Sequence, residues 1–559
     1  MNIIRRMVKS SWFWLVVVST IPLVPLFHEG IPLTHDGRIH IARIANFYAS
    51  FMEGNIVPRW ASNLNWGYGS PIIEFVYPLP SYVASLFHIV GFSLVDSTKL
   101  VFAVAYILSA LTIFFWIREQ LGIVSGVVAS ILYTFAPYRF VDLYVRGALG
   151  EHVAFIYPPL LCWSLLRLAR YPKQYISSAI IFGLSTAGLI LSHNALSVIF
   201  LPIVGIYGLY LCVYETKQKH FFVFFGLMGL MFGFLLSAFF WVPAVFEQKY
   251  ILIDKVTQGA LGGFTAWNWF ISSSWNFGGG TEFSKEIGMS GWIAIIGSFW
   301  CMWKARHWRD RWLIGGCLVL FFSALFLMTP QSAGIWTNIP LMIKLQFPWR
   351  FLSLTTFLAA VLGGLTISHI LKIYRQGQHV TRFFCTVFCL LSIIISSNMW
   401  YPNGYINYPH EYFTGIFDGT TDTGEASPIW SVRFMEQRPK APIEVISGDA
   451  RIETRLRNTT TREYAITNEH EVQLVENTLY FPGWNVFVDN NIIPIEFQSS
   501  LHRGLMTFFV PKGTHTVKIR FSDTKVRRTA NWISALSIVV LTSIGIGGFL
   551  WQKRRSHHQ

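Results

Sequence analysis

The sequence predicts a polytopic α-helical membrane protein of about twelve transmembrane helices with a C-terminal, water-exposed antiparallel β-sandwich domain. Three observations predict it. Of 559 residues, 53% are hydrophobic and 13% charged, roughly half the charged share of an ordinary soluble domain, so a wholly soluble chain is excluded. Apolar runs long enough to cross a bilayer recur through the first 398 positions. The stretch 399–531 then breaks that texture, with 14 of the 44 basic and 15 of the 29 acidic residues.

The first apolar run, Ser11 to Phe27, follows Arg5, Arg6 and Lys9 and lacks a small-residue cleavage pattern, so it reads as a retained helix. Further runs lie near 99–117, 121–136, 153–169, 176–192, 195–214, 221–246, 291–303, 311–328, 349–371, 383–398 and 532–551. Tyr77–Phe92 is apolar too, but it is short and carries Pro78, Pro80 and His88, and it is assigned to the membrane interface. With that assignment, 19 basic residues against three acidic ones fall on one side, the charge bias of cytoplasmic loops.

Both termini are then expected in the cytoplasm of a bacterial inner membrane, with the β-rich domain outside. The net charge of +15 reports this orientation rather than nucleic-acid binding, because the lysines and arginines sit in small clusters between apolar runs. All six cysteines fall inside apolar runs, which argues against disulfides in a water-exposed domain. The expected organisation is a transmembrane domain at 1–398 with a large first outer loop at 28–98, a β-rich domain at 399–531, and a last helix and basic tail at 532–559.

Within 399–531, alternation in Glu471–Phe481 predicts a strand. Turn residues Asp489-Asn490-Asn491 and Pro511-Lys512-Gly513 predict two hairpins, Trp484–Val488 with Ile492–Phe497 and Leu505–Val510 with His515–Phe521. Asn458-Thr459-Thr460 has the form of a glycosylation sequon, a triplet that also arises by chance.

Candidate functional residues gather in the outer loops. Thr34-His35-Asp36-Gly37-Arg38-Ile39-His40 precedes a helical stripe, Ile41 to Met52, so Asp36 reads as a helix N-cap or as a carboxylate placed to accept a proton or bind a cation between His35 and His40. Glu74 lies among apolar residues, where a carboxylate needs a partner. Pro137–His152 carries Arg139, Asp142, Arg146, Glu151 and His152, and Asp142 and Arg146 have the spacing of an i,i+4 ion pair. His193 interrupts an apolar hairpin, and Arg350 stands at the mouth of a span on the side where positive charge is disfavoured, a placement that a phosphate partner would explain.

Taken with His35-Asp36-Gly37 and His40, Tyr138-Arg139, Arg146-Gly147, Glu151, Leu345–Arg350, Tyr480–Trp484 and Val510–Gly513, this layout resembles the GT-C class of membrane glycosyltransferases. More closely it resembles the bacterial membrane family labelled 6-pyruvoyl-tetrahydropterin synthase-related. The resemblance implies transfer of a sugar from a polyprenyl-phosphate carrier to an extracytoplasmic glycan, lipid or protein acceptor. It implies Asp36 as general base or metal ligand, and Arg146 and Arg350 as phosphate clamps; Glu151 is assigned as a second carboxylate.

His35, His40, Glu74, Arg139, His152 and His193 complete the expected substrate-binding set. No cofactor is required by this reading; Asp36 is the residue that would meet a divalent cation, but Gly37-Arg38 follows it where metal-using members place a second acid. The pterin label implies no zinc site, since no clustered histidine set stands out. The competing expectations are a flippase or exporter for lipid-linked sugars and a non-catalytic scaffold whose β domain binds envelope glycans.

Overall fold

The computed structural model describes residues 10–254, 262–278, 282–374 and 377–556. Arg5, Arg6, Lys9 and Arg375 of the charge pattern lie outside the described residues. The chain divides into two compact units, each built from separated stretches: 1–38, 95–234 and 260–407 in one, and 39–94, 235–259 and 408–559 in the other. This grouping differs from the contiguous division at 398 and 531, because long-range packing gathers stretches that are distant in sequence.

The first unit is helical. Among the described residues, eight helices are long and apolar enough to cross a membrane, and a ninth span exists if Ile123–Thr134 and Pro137–Arg146, bent by 49°, count as one. Twelve were expected; of the remaining three runs, 532–551 lies in the helix Lys525–Ser556, whose side chains are described only in part, and the other two are short. Pro22 and Pro25 convert the second half of the first run to a 3-10 helix, so Ser11–Thr20 has only ten α-helical residues. Met289–Lys304 has 16 residues, a length of roughly 24 Å.

The central helix of this unit is Phe351–Ile373, whose apolar window is 94% buried. Gly363 and Gly364 let neighbours approach closely: a Cβ on Gly363 would strike Leu132, and one on Gly364 would press on Ile117 and Ala129. Small residues at such crossings are what helix packing in lipid requires. Ser298 adds a buried hydroxyl contact, 3.0 Å from Thr366 Oγ1.

The second unit holds the β-rich stretch. One antiparallel sheet runs Ala450–Arg457, Thr461–Asn468, Gly513–Phe521, Trp484–Val488 and Asn491–Ile493; the other runs Ile443–Ser447, Val472–Leu479 and Leu505–Val510. Ile466, Val486 and Ile519 from the first sheet and Leu474, Met506 and Phe508 from the second share one apolar core. The Asp489-Asn490 turn forms as expected, with φ of 47° and 69° and Val488 opposite Asn491.

Pro511-Lys512-Gly513 behaves differently. It joins strands that belong to different sheets, so it is a crossing and not a hairpin. Asn458 of the sequon triplet is a turn residue, its Oδ1 accepting from the Thr461 amide at 2.7 Å. Leu79–Ile89 is an 11-residue helix with Leu86 and Ile89 exposed and Ala84 and Ser85 buried, a length and pattern suited to an interface and too short to span.

Glu74 also belongs to this unit, fully enclosed in a charge cluster. Arg527 Nε lies 2.9 Å from its Oε2, and Arg527 Nη2 lies 2.6 Å from Glu247 Oε2. Two carboxyls therefore share one guanidinium. Burial raises the Glu74 carboxyl from its ordinary 4.5 to about 8, against the pull of Arg527 and Arg59. The folded chain thus holds a proton on Glu74 that the unfolded chain releases above pH 4.5, so this contribution to stability is full below pH 4.5 and is lost as pH rises through 8. Glu74→Gln should flatten the thermal stability of the purified chain between pH 5 and 9; an unchanged slope would exclude Glu74 as its source.

Candidate functional site

A kink built into the helical unit collects its polar residues. Ile123–Thr134 ends at Phe135, Ala136 is extended, and Pro137 opens a new helix at N1. Pro137–Phe140 runs into a single π-helical turn, Val141–Arg146, which stops at Gly147 with φ +65°. π turns of this kind widen the backbone and recur at functional sites. The next helix begins at Leu149, which puts Glu151 in its first turn and His152 in its last.

Arg146 is the hub. Its Nη1 lies 2.8 Å from Asp142 Oδ1, 2.8 Å from Glu151 Oε2 and 3.1 Å from the Tyr138 hydroxyl oxygen. Tyr138 in turn donates to Glu151 Oε1 at 2.6 Å, closing a ring of three side chains. The Asp142 and Glu151 side chains have no exposure. Glu151 and His152 are both fully buried.

Asp36 is drawn to this hub by its backbone. The His35 amide donates to Val145 O at 3.0 Å and the Asp36 amide to Arg146 O at 2.8 Å. The approach depends on Gly147, where a Cβ would fall on the Thr34 side chain. Thr34 Oγ1 accepts from the Gly37 amide at 3.1 Å, a cap contact at the start of Gly37–Met52, so the expected capping is done by Thr34 and the half-buried Asp36 carboxylate acts electrostatically on Arg146. His35 Nε2 lies 3.4 Å from Phe277 O.

His193 and Arg350 reach the same charges. His193 Nδ1 accepts from the Leu196 amide at 3.2 Å, capping Asn194–Tyr214. Burial, with Arg350 beside it, pushes this imidazole down to about 3, so it is neutral. The Arg350 guanidinium donates to Leu345 O at 2.6 Å and Gln346 Oε1 at 3.1 Å, and its charge acts on Glu151 and His193.

Two expected ligands have other surroundings. Arg139 is enclosed by the rings of Phe155 at 4.0 Å and Tyr106 at 5.3 Å and donates to Ser109 Oγ at 3.0 Å. His152 stacks on Tyr106 with centroids 5.9 Å apart and meets Phe102 edge-on. Both are fully buried and support the hub from behind. His40 and Glu74 fall in the other compact unit, where His40 is buried and Glu74 pairs with Arg527.

Sequence reasoning singled out Leu345–Arg350, with Phe347 and Trp349, but missed the aromatic wall these rings form with Phe283. Phe283 lies 5.9 Å from the Arg146 guanidinium and edge-on to Trp349, which stacks on Phe347 with centroids 4.2 Å apart. Lys285 Nζ lies between Phe283 and Trp269, at 4.6 and 4.9 Å from their centroids. Nothing local in the sequence links these loops to Arg146. Among the described residues no three His, Cys, Asp or Glu side chains converge as metal ligands.

No protein-family model matches the sequence, so the 6-pyruvoyl-tetrahydropterin synthase-related assignment finds no support there. An uncharacterized protein of Lactococcus lactis subsp. cremoris (strain MG1363) is 24% identical over 251 residues, 42% of this chain and 40% of that one. Among solved structures, the arabinofuranosyltransferase AftD from Mycobacteria is similar over 72% of this chain and 28% of its own, with a TM-score of 0.46 and 15% identity. The archaeal oligosaccharyltransferase AglB from Archaeoglobus fulgidus, solved with an inhibitory peptide and a dolichol-phosphate, is similar over 75% of this chain and 61% of its own, with a TM-score of 0.44 and 13% identity. The chain thus spans about 40% of the length of the curated relative it matches.

Proposed function

We propose that the chain is a membrane glycosyltransferase that moves a sugar from a polyprenyl-phosphate carrier to an acceptor hydroxyl or amide on the outer face of a bacterial cytoplasmic membrane. One observation carries this reading: backbone pairing brings Asp36 beside Arg146, so that its half-buried carboxylate acts electrostatically on a cation whose orientation is fixed by two fully buried carboxylates. A base and an anion-binding group thereby come from one pair of backbone-bonded segments, the combination that group transfer from a phosphate ester needs.

In the reaction, the acceptor oxygen or nitrogen attacks the anomeric carbon. The bond between that carbon and the phosphate oxygen breaks, and its electron pair stays on the phosphate, which leaves as polyprenyl phosphate. Asp36 takes the acceptor proton. All three bonds that hold Arg146 fall on Nη1, which leaves the Nε and Nη2 edge to meet the phosphate. Arg350 adds positive charge to the same site.

Glu151, expected as a second catalytic carboxylate, has one oxygen engaged by Tyr138 and the other by Arg146, and is a positioning residue in this scheme. The aromatic wall of Phe283 and Trp349 suits an apolar or sugar-bearing lipid rather than a freely soluble nucleotide donor.

The test is reconstitution of the full chain in vesicles containing a panel of polyprenyl-phosphate sugars, with short saccharide and peptide acceptors supplied outside. Transfer is expected with release of one free polyprenyl phosphate per sugar moved. Movement of intact carrier across the bilayer, without cleavage of any sugar–phosphate bond, would overturn the transferase reading and favour a flippase.

A further inference from the structure

Arg139 stands about one helical turn before Asp142, on the short helix that leads into the π turn. Its side chain is fully enclosed. The rings of Phe155, Tyr106 and Tyr133 surround the guanidinium, with centroids 4.0, 5.3 and 5.6 Å away, and Nη2 donates to Ser109 Oγ at 3.0 Å. Among the described residues, Nε and Nη1 meet no hydrogen-bond acceptor, and no carboxylate lies within 4.0 Å of the group. Both tyrosine hydroxyls are committed to the backbone, Tyr106 donating to Thr134 O at 2.6 Å and Tyr133 to Phe155 O at 2.8 Å. Three aromatic faces and one serine hydroxyl offset only part of the hydration that a guanidinium loses on burial. A cation held in this way needs negative charge close by.

The hub supplies it. Arg146 carries one positive charge and holds two buried carboxylates, Asp142 and Glu151, while Tyr138 keeps its proton and donates it to Glu151. That set alone is one unit negative. The excess is visible at Asp142, whose Oδ1 is taken by Arg146 and whose Oδ2 is buried with no hydrogen-bond partner among the described residues. Arg350 and Asp36 act on the same groups, but their charges are of opposite sign and cancel. The buried imidazoles of His152 and His193 add no charge. Including Arg139 brings the balance to zero. The cage and the hub also share a wall, because the Phe155 ring that covers Arg139 meets the Tyr138 ring edge-on at 6.5 Å. Across this wall the charge of Arg139 acts on Asp142 and Glu151 alike.

We propose that Arg139 is a positioning residue, the remote counter-charge that keeps Asp142 and Glu151 ionised together and so keeps Arg146 oriented for the carrier phosphate. The ligand named here rests on the transferase reading, whereas the charge balance does not. The aromatic cage explains why the counter-charge is remote. A direct ion pair with Arg139 would draw Asp142 or Glu151 away from Arg146, and the rings hold the guanidinium beyond 4.0 Å of either carboxylate.

The test compares the full chain with Arg139→Gln, Arg139→Lys and the double variant Arg139→Gln with Asp142→Asn, each purified in mild detergent. The unfolding temperature without ligand and the binding of polyprenyl phosphate at neutral pH are both read. Glutamine can still donate to Ser109, so it removes the charge while keeping that contact. Arg139→Gln should unfold at a lower temperature and bind polyprenyl phosphate about tenfold more weakly, since one buried negative charge is then unopposed. Arg139→Lys restores the charge and should stay close to the wild type in both readings. The double variant is neutral again and should recover most of both losses, which a role in packing alone would not produce. Wild-type stability and binding in Arg139→Gln would overturn the proposal. So would a double variant no better than Arg139→Gln, judged by the yield of folded protein if the single variant fails to fold. A wild type that binds no polyprenyl phosphate would sink the transferase reading alone, and the unfolding temperatures would still decide for or against Arg139.

Discussion

Replacing Asp36 by asparagine is expected to lower sugar transfer by about 10²–10⁴-fold, the range that a positioned general base contributes, while leaving the protein folded. The reason for expecting a clean catalytic effect lies in how Asp36 is held. Its placement depends on backbone bonds, from the His35 amide to Val145 O and the Asp36 amide to Arg146 O, and the nearby contact to the Gly37 amide comes from Thr34. None of these uses the Asp36 carboxylate. Asparagine keeps the shape and the backbone but does not take up a proton, so the loss should appear in kcat with little change in KM for the carrier lipid. Equal activity of the variant, measured by release of polyprenyl phosphate, would remove Asp36 from the chemistry.

Arg146 is expected to give the largest effect on stability. Its Nη1 is the shared partner of Asp142 and Glu151, and both carboxylates are without exposure. Removing one member of a buried ion pair leaves an uncompensated charge and costs about 3–5 kcal/mol, and here one guanidinium serves two such charges. Arg146→Ala should therefore lower the detergent-solubilised yield and the unfolding temperature sharply. Arg146→Lys retains the charge but not the planar fork, so it should fold better than the alanine variant while binding the carrier phosphate poorly. Adding Asp142→Asn and Glu151→Gln to Arg146→Ala should recover much of the lost stability, because the buried negative charges are then gone. A triple variant as unstable as Arg146→Ala would show that the cluster is held by packing rather than charge.

The parts of this molecule that were legible in the sequence are those fixed by local chemistry. Long apolar runs became helices, and Tyr77–Phe92, set apart as short and proline-bearing, holds a helix of 11 residues. The Asp489-Asn490 turn followed from two residues that tolerate positive φ. Pro511-Lys512-Gly513 carries equally good turn residues yet joins two sheets, since turn chemistry fixes the bend but distant strands choose the partner. Pro22 and Pro25 were visible, but their effect on the length of the first helix was underestimated.

For the candidate site, spacing correctly paired Asp142 with Arg146, though an i,i+4 pair is compatible with both the α turn that was expected and the π turn that is present. Convergence of Asp36 and Arg146 is carried by backbone bonds across more than one hundred positions, and no periodicity encodes it. Phe283 and Lys285 were unreadable for the same reason, whereas Trp349 stood in the Leu345–Arg350 motif and only its contact with Phe283 was hidden. Glu74 was singled out because burial among apolar residues demands a partner, and the partner is Arg527, far along the chain.

The central claim is that Arg146 binds the carrier phosphate while Asp36 performs the proton transfer, so binding and chemistry should separate by mutation. The most direct measurement is equilibrium binding of polyprenyl phosphate to the purified full chain and its Asp36→Asn and Arg146→Lys variants, paired with single-turnover transfer by the same preparations. Asp36→Asn should bind as tightly as the wild type and fail to transfer, and Arg146→Lys should lose at least tenfold in binding, a difference of about 1.4 kcal/mol. Undiminished binding by Arg146→Lys, or loss of binding in Asp36→Asn, would contradict that division of roles.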